Sequence, residues 1–176
     1  MKIIISPAKK LTDKNISTRN SSSIQFIDDT KYLVEQLRGY DLDGLKKLMG
    51  LSDNLAKLNY DRYQEWDLNS KEIIPAIFMF QGDVYKGLRA DKFLEDELAF
   101  AQNNLRIISG LYGLLRPLDL IFAYRLEMGT KIKTEEGTNL YDFWGDKLSK
   151  LLMSEMVDDE VLVNLASNEY SKVLKL

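Results

Sequence analysis

The sequence predicts a mixed α/β fold (α+β) in a single domain over residues 1–176, with a small, mostly buried sheet and several amphipathic helices. Short apolar runs such as KIIIS and VLVNLAS predict buried strands, and longer segments carry apolar residues at helical spacing. A chain of 176 residues with 45% apolar residues can build one sizeable core. It has no apolar run of membrane length or signal-peptide type, so we expect a cytoplasmic protein with no membrane partner.

The first elements follow from where apolar runs stop. KIIIS predicts a strand that ends before Pro7, because proline cannot donate to a strand ladder. From Ile27 to Leu58 the apolar spacing predicts successive amphipathic helices, broken at Gly39 and Gly50, with Ser52 as the N-cap of the last.

The remaining elements are a mixture of strands and helices. The run from Ala76 to Phe80 is apolar and β-rich, which predicts a buried strand. A helical stripe begins at Lys92; Asn103 and Asn104 either belong to that helix or end it early and leave LRIIS as a strand. Near the end, DFWGDKLSKLLMSEM predicts one amphipathic helix and VLVNLAS a further strand.

Composition excludes several kinds of chemistry. Cysteine and histidine are absent, which removes disulfides, thiolate nucleophiles, zinc fingers and every triad built on imidazole. Carboxylates, Lys, Tyr and Ser remain for any catalysis. The sequence has no P-loop or dinucleotide fingerprint, so no cofactor is expected, and its acidic runs lack the pattern of a di-iron site, so no metal site is expected.

Positive charge is local. The net charge of −3 argues weakly against a surface that seeks nucleic acid everywhere. Two stretches are nevertheless basic, and they hold Lys2, Lys9, Lys10, Lys14 and Arg19 in residues 1–20 and Arg106, Arg116 and Arg125 in residues 105–125.

Three predicted strands each end in a small or polar turn, within ISPAK, FQGDVYKG and NLASNEY. Strand ends of one polarity line the ligand crevice of an open α/β sheet, so these turns could converge on one site for a small anionic or nucleotide ligand. The other interpretation is that each is an ordinary strand terminator. The candidate catalytic residues are Ser6, Lys9, Asp83, Tyr85, Ser167 and Glu169.

A glycine-rich segment, SGLYGLLRPLD, suggests a second kind of site. Glycines three residues apart permit a tight turn with outward N–H groups, and Pro117 suits the first turn of a following helix. Helix, glycine hairpin and helix together predict a helix-hairpin-helix-like element that grips a DNA backbone. A structural turn whose arginines pair with acids is the alternative. The candidate DNA-binding residues are Arg106, Ser109, Gly110, Tyr112, Gly113, Arg116 and Arg125.

Six motifs, in this order, resemble the peroxide stress protein YaaA family of bacteria: ISPAK, GDVYKGL, SGLYGLLRPLD, YRLEMG, LYDFWGD and NLASNEY. The resemblance implies a cytoplasmic protein that responds to hydrogen peroxide, limits free intracellular iron and protects DNA. It also implies a mixed α/β fold with a helix-hairpin-helix-like element, here Ser109 to Asp119, and a basic cleft that binds duplex or branched DNA. Family members normally continue with a lysine-rich C-terminal portion, so we expect a chain that is incomplete relative to the family.

Two functions therefore stand after sequence analysis. The first is a DNA-binding stress protein with low sequence specificity. The second is an enzyme that acts on a nucleotide, a nucleobase or damaged DNA at the strand ends. The arrangement of the strand-end side chains distinguishes them, because an enzyme needs these groups to meet in one pocket. The sequence does not predict an oligomeric state.

Overall fold

The computed structural model describes residues 1–12, 14, 16 and 20–175. Arg19, in the first basic stretch, lies outside the described residues. The strands are β1 (Lys2–Ile5), β2 (Ile74–Pro75), β3 (Leu105–Ser109), β4 (Gly113–Leu115), β5 (Leu120–Ile121) and β6 (Leu162–Asn164). The helices are α1 (Ile27–Arg38), α2 (Leu42–Met49), α3 (Asp53–Glu65), α4 (Ala76–Met79), α5 (Asp83–Leu88), α6 (Glu95–Asn104), α7 (Leu140–Trp144), α8 (Lys147–Ser154) and α9 (Asn168–Ser171), with 3₁₀ turns at Ala90–Lys92 and Lys172–Leu174.

The main sheet has the order β4-β3-β1-β6, which confirms the predicted mixed α/β class. β1 runs parallel to both β3 and β6, and β4 is antiparallel to β3. Ile4 of β1 pairs with Arg106 on one side and Asn164 on the other. The carboxyl ends of three parallel strands therefore meet at one edge of the sheet.

The three predicted amphipathic helices between Ile27 and Leu58 are confirmed as α1, α2 and α3. Gly50 ends α2 in the left-handed region, at φ +61°, where glycine carries no Cβ penalty. Ser52 holds the N-cap position of α3, although its side chain makes no capping hydrogen bond.

The prediction of a strand from Ala76 to Phe80 was wrong. This stretch forms the single-turn helix α4, and only Ile74 and Pro75 before it are extended, where they pair with β5. The Ala76 and Ile77 N–H groups donate to the carbonyls of Asp119 and Pro117, which turns the chain into the helix. A short buried apolar run suits either state, so periodicity alone could not decide.

Two further boundaries are settled by the structure. Helix α6 ends at Asn104 and β3 begins at the next residue, so LRIIS is a strand. The single helix predicted from DFWGDKLSKLLMSEM is two, α7 and α8, because Gly145 adopts φ +53° between them. The predicted strand in VLVNLAS is confirmed as β6.

The predicted helix-hairpin-helix-like element is instead a β-hairpin. Ser109 of β3 pairs with Gly113 of β4, and Pro117 lies in a turn before β5 rather than in a helix. The β-rich runs LRIIS and GLL satisfy each other's backbone groups across the hairpin, which outweighs the glycine and proline signals. Gly110 is required for packing, because a Cβ there would lie 2.3 Å from the Leu126 carbonyl oxygen.

The core is continuous from the sheet to the helices and includes Tyr63, Tyr112, Phe143 and Trp144. Within the described chain, no helix combines the length and apolarity needed to cross a membrane.

Candidate functional site

Two neighbouring parallel strands, β1 and β6, place their following loops side by side. Ser6 follows β1, and its Oγ accepts a hydrogen bond from the Ser167 N–H at 2.9 Å. The two hydroxyl oxygens lie 3.3 Å apart. The loop after β1 is thus joined to the loop after β6, as expected where the carboxyl ends of parallel strands meet.

A cavity of about 490 Å³ opens at this edge, and we call it the strand-end cavity. Its walls are formed by residues 6–9 after β1, 124–127 of an irregular segment, and 165–167, 169 and 170 after β6, together with Val84. Four of the six candidate catalytic residues therefore line one cavity: Ser6, Lys9, Ser167 and Glu169.

Glu127 joins two cations in this cavity. Its Oε2 lies 2.9 Å from Lys9 Nζ, and its Oε1 lies 3.0 Å from Arg125 Nη2. Burial alone would raise the pKa of the Glu127 carboxyl, but hydrogen bonds from Lys9 and Arg125 outweigh burial and hold that pKa below its ordinary value. Glu127 is therefore ionised at neutral pH. Arg125 Nε is buried and has no hydrogen-bond partner among the described residues.

Glu169, on α9, also lines the strand-end cavity. Its Oε1 accepts a hydrogen bond from the Gly129 N–H at 2.9 Å. Tyr170, next to it, is buried, and this burial together with the nearby Glu169 and Glu127 carboxylates raises the pKa of its phenol. The phenol therefore stays protonated at neutral pH and can act as a hydrogen-bond donor to a ligand.

Two further recesses share Glu169 with the strand-end cavity. One, of about 260 Å³, is lined by Arg125, Glu127 and residues 48, 49, 129, 130 and 169. The other, of about 700 Å³, carries Lys131 and Lys172, and Lys172 Nζ lies 4.2 Å from the Tyr141 ring centroid. We call the three together the Glu169 groove.

The other two candidate catalytic residues lie outside the cavity. The Asp83 side chain is 99% exposed at the start of α5 and pairs with Lys86. Tyr85 is buried, and its hydroxyl donates to the Ser6 carbonyl at 2.9 Å. Tyr85 therefore supports the loop after β1 rather than facing a ligand.

Most candidate DNA-binding residues are buried and have partners within the protein. Ser109 and Tyr112 are fully buried, with Ser109 Oγ bonded to the Tyr124 hydroxyl and the Tyr112 hydroxyl bonded to Trp66 and Phe122. Gly110 and Gly113 are buried in the same hairpin. A phosphate needs accessible donors, so the hairpin offers it no surface in this structure.

The three arginines of that set have different surroundings. Arg106 is buried, with Nε 2.6 Å from a Glu155 carboxylate oxygen. Arg116 donates to the Asp119 carboxylate and to a backbone carbonyl. Arg125 alone of the candidate DNA-binding residues lines the strand-end cavity.

Sequence reasoning did not include Glu127 or Tyr170 among the candidate site residues. Both lie in motifs that carried the family resemblance, YRLEMG and NLASNEY. The alternation of Arg125 and Glu127 in YRLEMG was the available signal, since side chains two residues apart share one face of extended backbone.

The site's chemistry depends on lysine, arginine, carboxylates and tyrosine. Arg125 and Lys9 are suited to an anion such as phosphate, and Glu169 can accept a proton. Among the described residues, no cluster of three or more Asp or Glu side chains is arranged to hold a metal ion.

Fold and cavity define a mixed α/β protein with a cavity, lined in part by charged side chains, at the carboxyl edge of its parallel strands. The family model described as peroxide stress protein YaaA matches residues 1–176, and the chain belongs to that family. A UPF0246 protein of Marinomonas sp. (strain MWYL1) is 47% identical over 180 residues, covering 99% of this chain and 68% of the relative. UPF0246 proteins of Ruegeria pomeroyi and Alcanivorax borkumensis are 48% and 45% identical, covering 100% and 99% of this chain and 72% and 70% of the relatives.

Proposed function

We propose that this protein serves the peroxide stress response by binding a phosphate-bearing nucleotide or nucleic-acid fragment in the strand-end cavity and acting on it there. The observation that carries the proposal is that Ser6, Lys9, Ser167 and Glu169, contributed by loops about 160 residues apart, line one cavity. Folding alone does not require a lysine, an arginine and two carboxylates at one recess, because an ion pair with a partner as exposed as Lys9 contributes little to stability.

Each side chain has a role in this proposal. Arg125 and Lys9 hold the phosphate, because a guanidinium binds its oxygens as a planar fork and an ammonium as a point charge. Glu169 is the proton acceptor, and its hydrogen bond from the Gly129 N–H fixes its position. The Tyr170 phenol, kept protonated by burial, donates to the ligand.

DNA binding is a second proposal, and it uses the Glu169 groove rather than the hairpin. The supporting observation is that the groove extends beyond the cavity to Lys131 and Lys172. Exposed lysines along a groove can follow successive phosphates without reading bases. Limitation of free iron and protection of DNA would then be the cellular outcome.

Titration calorimetry separates the two proposals. A nucleoside monophosphate that binds wild type and loses affinity in Lys9→Met supports the cavity. A duplex whose affinity falls in a Lys131→Met, Lys172→Met double variant, with a smaller salt slope, supports the groove. If neither ligand binds at millimolar concentration, both proposals are wrong.

A further inference from the structure

The counter-ion of both cavity cations is a residue of the protein itself. Glu127 takes one oxygen to Lys9 and the other to Arg125, and these cations come from different segments, the loop after β1 and the irregular segment after β5. Any anion that is to use both cations must compete with that carboxylate.

Stability explains only part of this arrangement. The Lys9 side chain is 64% exposed, and an ion pair with so exposed a partner contributes little to folding. Arg125 also keeps Nε buried and unpartnered while Nη2 binds Glu127, so the guanidinium is only partly satisfied. A buried donor without a partner costs free energy, which a better-fitting anion would recover.

The charges at the cavity balance only while Glu127 is present. The charged side chains of its lining are Lys9, Arg125, Glu127 and Glu169. Their formal charges sum to zero, and removal of the Glu127 charge leaves a net charge of one positive unit. A carboxylate has two oxygens, whereas a phosphate monoester has three, so phosphate can keep both contacts and still reach a third donor such as Arg125 Nε.

We propose that Glu127 is a built-in competitor that a phosphate group displaces from Lys9 and Arg125 when the ligand binds. This inference rests on the proposed ligand-binding function of the cavity. Glu127 thereby selects between ligands. A phosphate group displaces it, whereas a ligand with a single carboxylate can make only the contacts that Glu127 already makes and therefore does not displace it. The residue is a determinant of ligand specificity.

The experiment measures binding of inorganic phosphate, AMP and acetate by calorimetry at fixed ionic strength, in wild type, Glu127→Gln and Glu136→Gln. Glu136 is exposed and outside the cavity, so its variant makes the same change in net charge without touching Lys9 or Arg125. We expect Glu127→Gln to bind phosphate about tenfold more tightly than wild type, because a carboxylate beside a bound anion is strongly repulsive. Glu136→Gln should bind as wild type does, and acetate should bind measurably only in Glu127→Gln.

The outcomes distinguish this inference from the function on which it rests. If wild type binds phosphate or AMP and Glu127→Gln binds no better, or if both variants improve equally, Glu127 is not a competitor although the cavity remains an anion site. If no variant binds phosphate or AMP, the cavity proposal itself is wrong. AMP binding well above that of phosphate shows that the nucleoside adds contacts, and equal binding assigns the site to the phosphate alone. Glu127→Asp is a second variant, which keeps the charge and so tests the inference if Glu127→Gln misfolds. Because the shorter carboxylate cannot reach both cations, its affinity for phosphate should lie between those of wild type and Glu127→Gln.

Discussion

The Arg106 guanidinium contacts the Glu155 carboxylate at 2.6 Å and so joins the middle of the sheet to the C-terminal end of α8. Arg106 also donates to the carbonyls of Gln102 and Leu105. Both side chains are largely buried, so the loss of either one would leave the other as an unpaired buried charge.

We therefore expect Arg106→Met to lower the free energy of unfolding by about 3 kcal/mol, because it leaves a largely buried carboxylate and two carbonyls without their donor. Urea unfolding at pH 7 measures this. Lys57→Met, which removes an exposed helical pair with Asp61, serves as the control and should leave the midpoint unchanged. If Arg106→Met were instead as stable as wild type but bound DNA less tightly, Arg106 would again be a candidate phosphate contact.

Alanine substitutions at two glycines distinguish the cost of backbone strain from the cost of side-chain overpacking. Gly50 and Gly113 both have positive φ, but a Cβ at Gly50 meets nothing within 4 Å, whereas one at Gly113 would lie 2.8–2.9 Å from Leu148, Phe26 and Trp144. Gly50→Ala should cost about 1 kcal/mol of stability from conformation alone. Gly113→Ala should cost about 1–3 kcal/mol more through overpacking. Equal losses in the unfolding free energies of the two variants would mean that the hairpin is not packed as described.

Protection against peroxide tests the strand-end cavity in cells. Lys9→Met and Glu169→Gln should abolish protection while leaving the unfolding midpoint nearly unchanged, because Lys9 is largely exposed and Glu169→Gln keeps an acceptor for the Gly129 N–H. Asp83→Asn is the matched control, since Asp83 was a candidate from sequence yet lies outside the cavity. Survival of peroxide challenge equal to wild type in both cavity variants would contradict the proposed function.

The pH dependence of stability tests the state of Glu127. Its pKa is lower in the folded protein than in the unfolded chain, so its contribution to stability is complete above the ordinary glutamate pKa of about 4.3 and is lost as pH falls through the folded value. Wild type should thus unfold at a higher temperature than Glu127→Gln at pH 7, and the difference should shrink towards pH 3. A difference that stays constant over this range would show that the ion pairs with Lys9 and Arg125 do not form.

The sequence predicted those parts of the fold in which the local pattern and tertiary packing agree. β1, β6 and the helices from α1 to α3 have a clear period, and the turns after β1 and β6 were expected at one edge. The segment from Ala76 to Phe80 failed because an apolar run of this length suits a buried helical turn as well as a strand. Gly145 was missed as a break because glycine in an amphipathic pattern does not reveal its φ.

The candidate site was predictable only in part, for a different reason. Ser6, Lys9, Ser167 and Glu169 follow strands, so topology brings them together. Arg125 and Glu127 lie in a segment without regular structure, and only the folded chain places it against the cavity. The hairpin was misassigned because Gly110 and Gly113 serve close packing, which in sequence is indistinguishable from an exposed glycine turn.

The pairing of β1 with β6 has a consequence for synthesis. β1 is complete within the first five residues, whereas its neighbour β6 begins only at Leu162. At a translation rate of about 5–20 residues per second, roughly ten to thirty seconds pass between the synthesis of β1 and the synthesis of β6. During this interval the newborn chain carries an apolar strand with an unpaired edge, an opportunity for aggregation. Ser6 and Lys9 have no counterpart from the loop after β6 until then, so the strand-end cavity can form only once residues 165–170 have been translated.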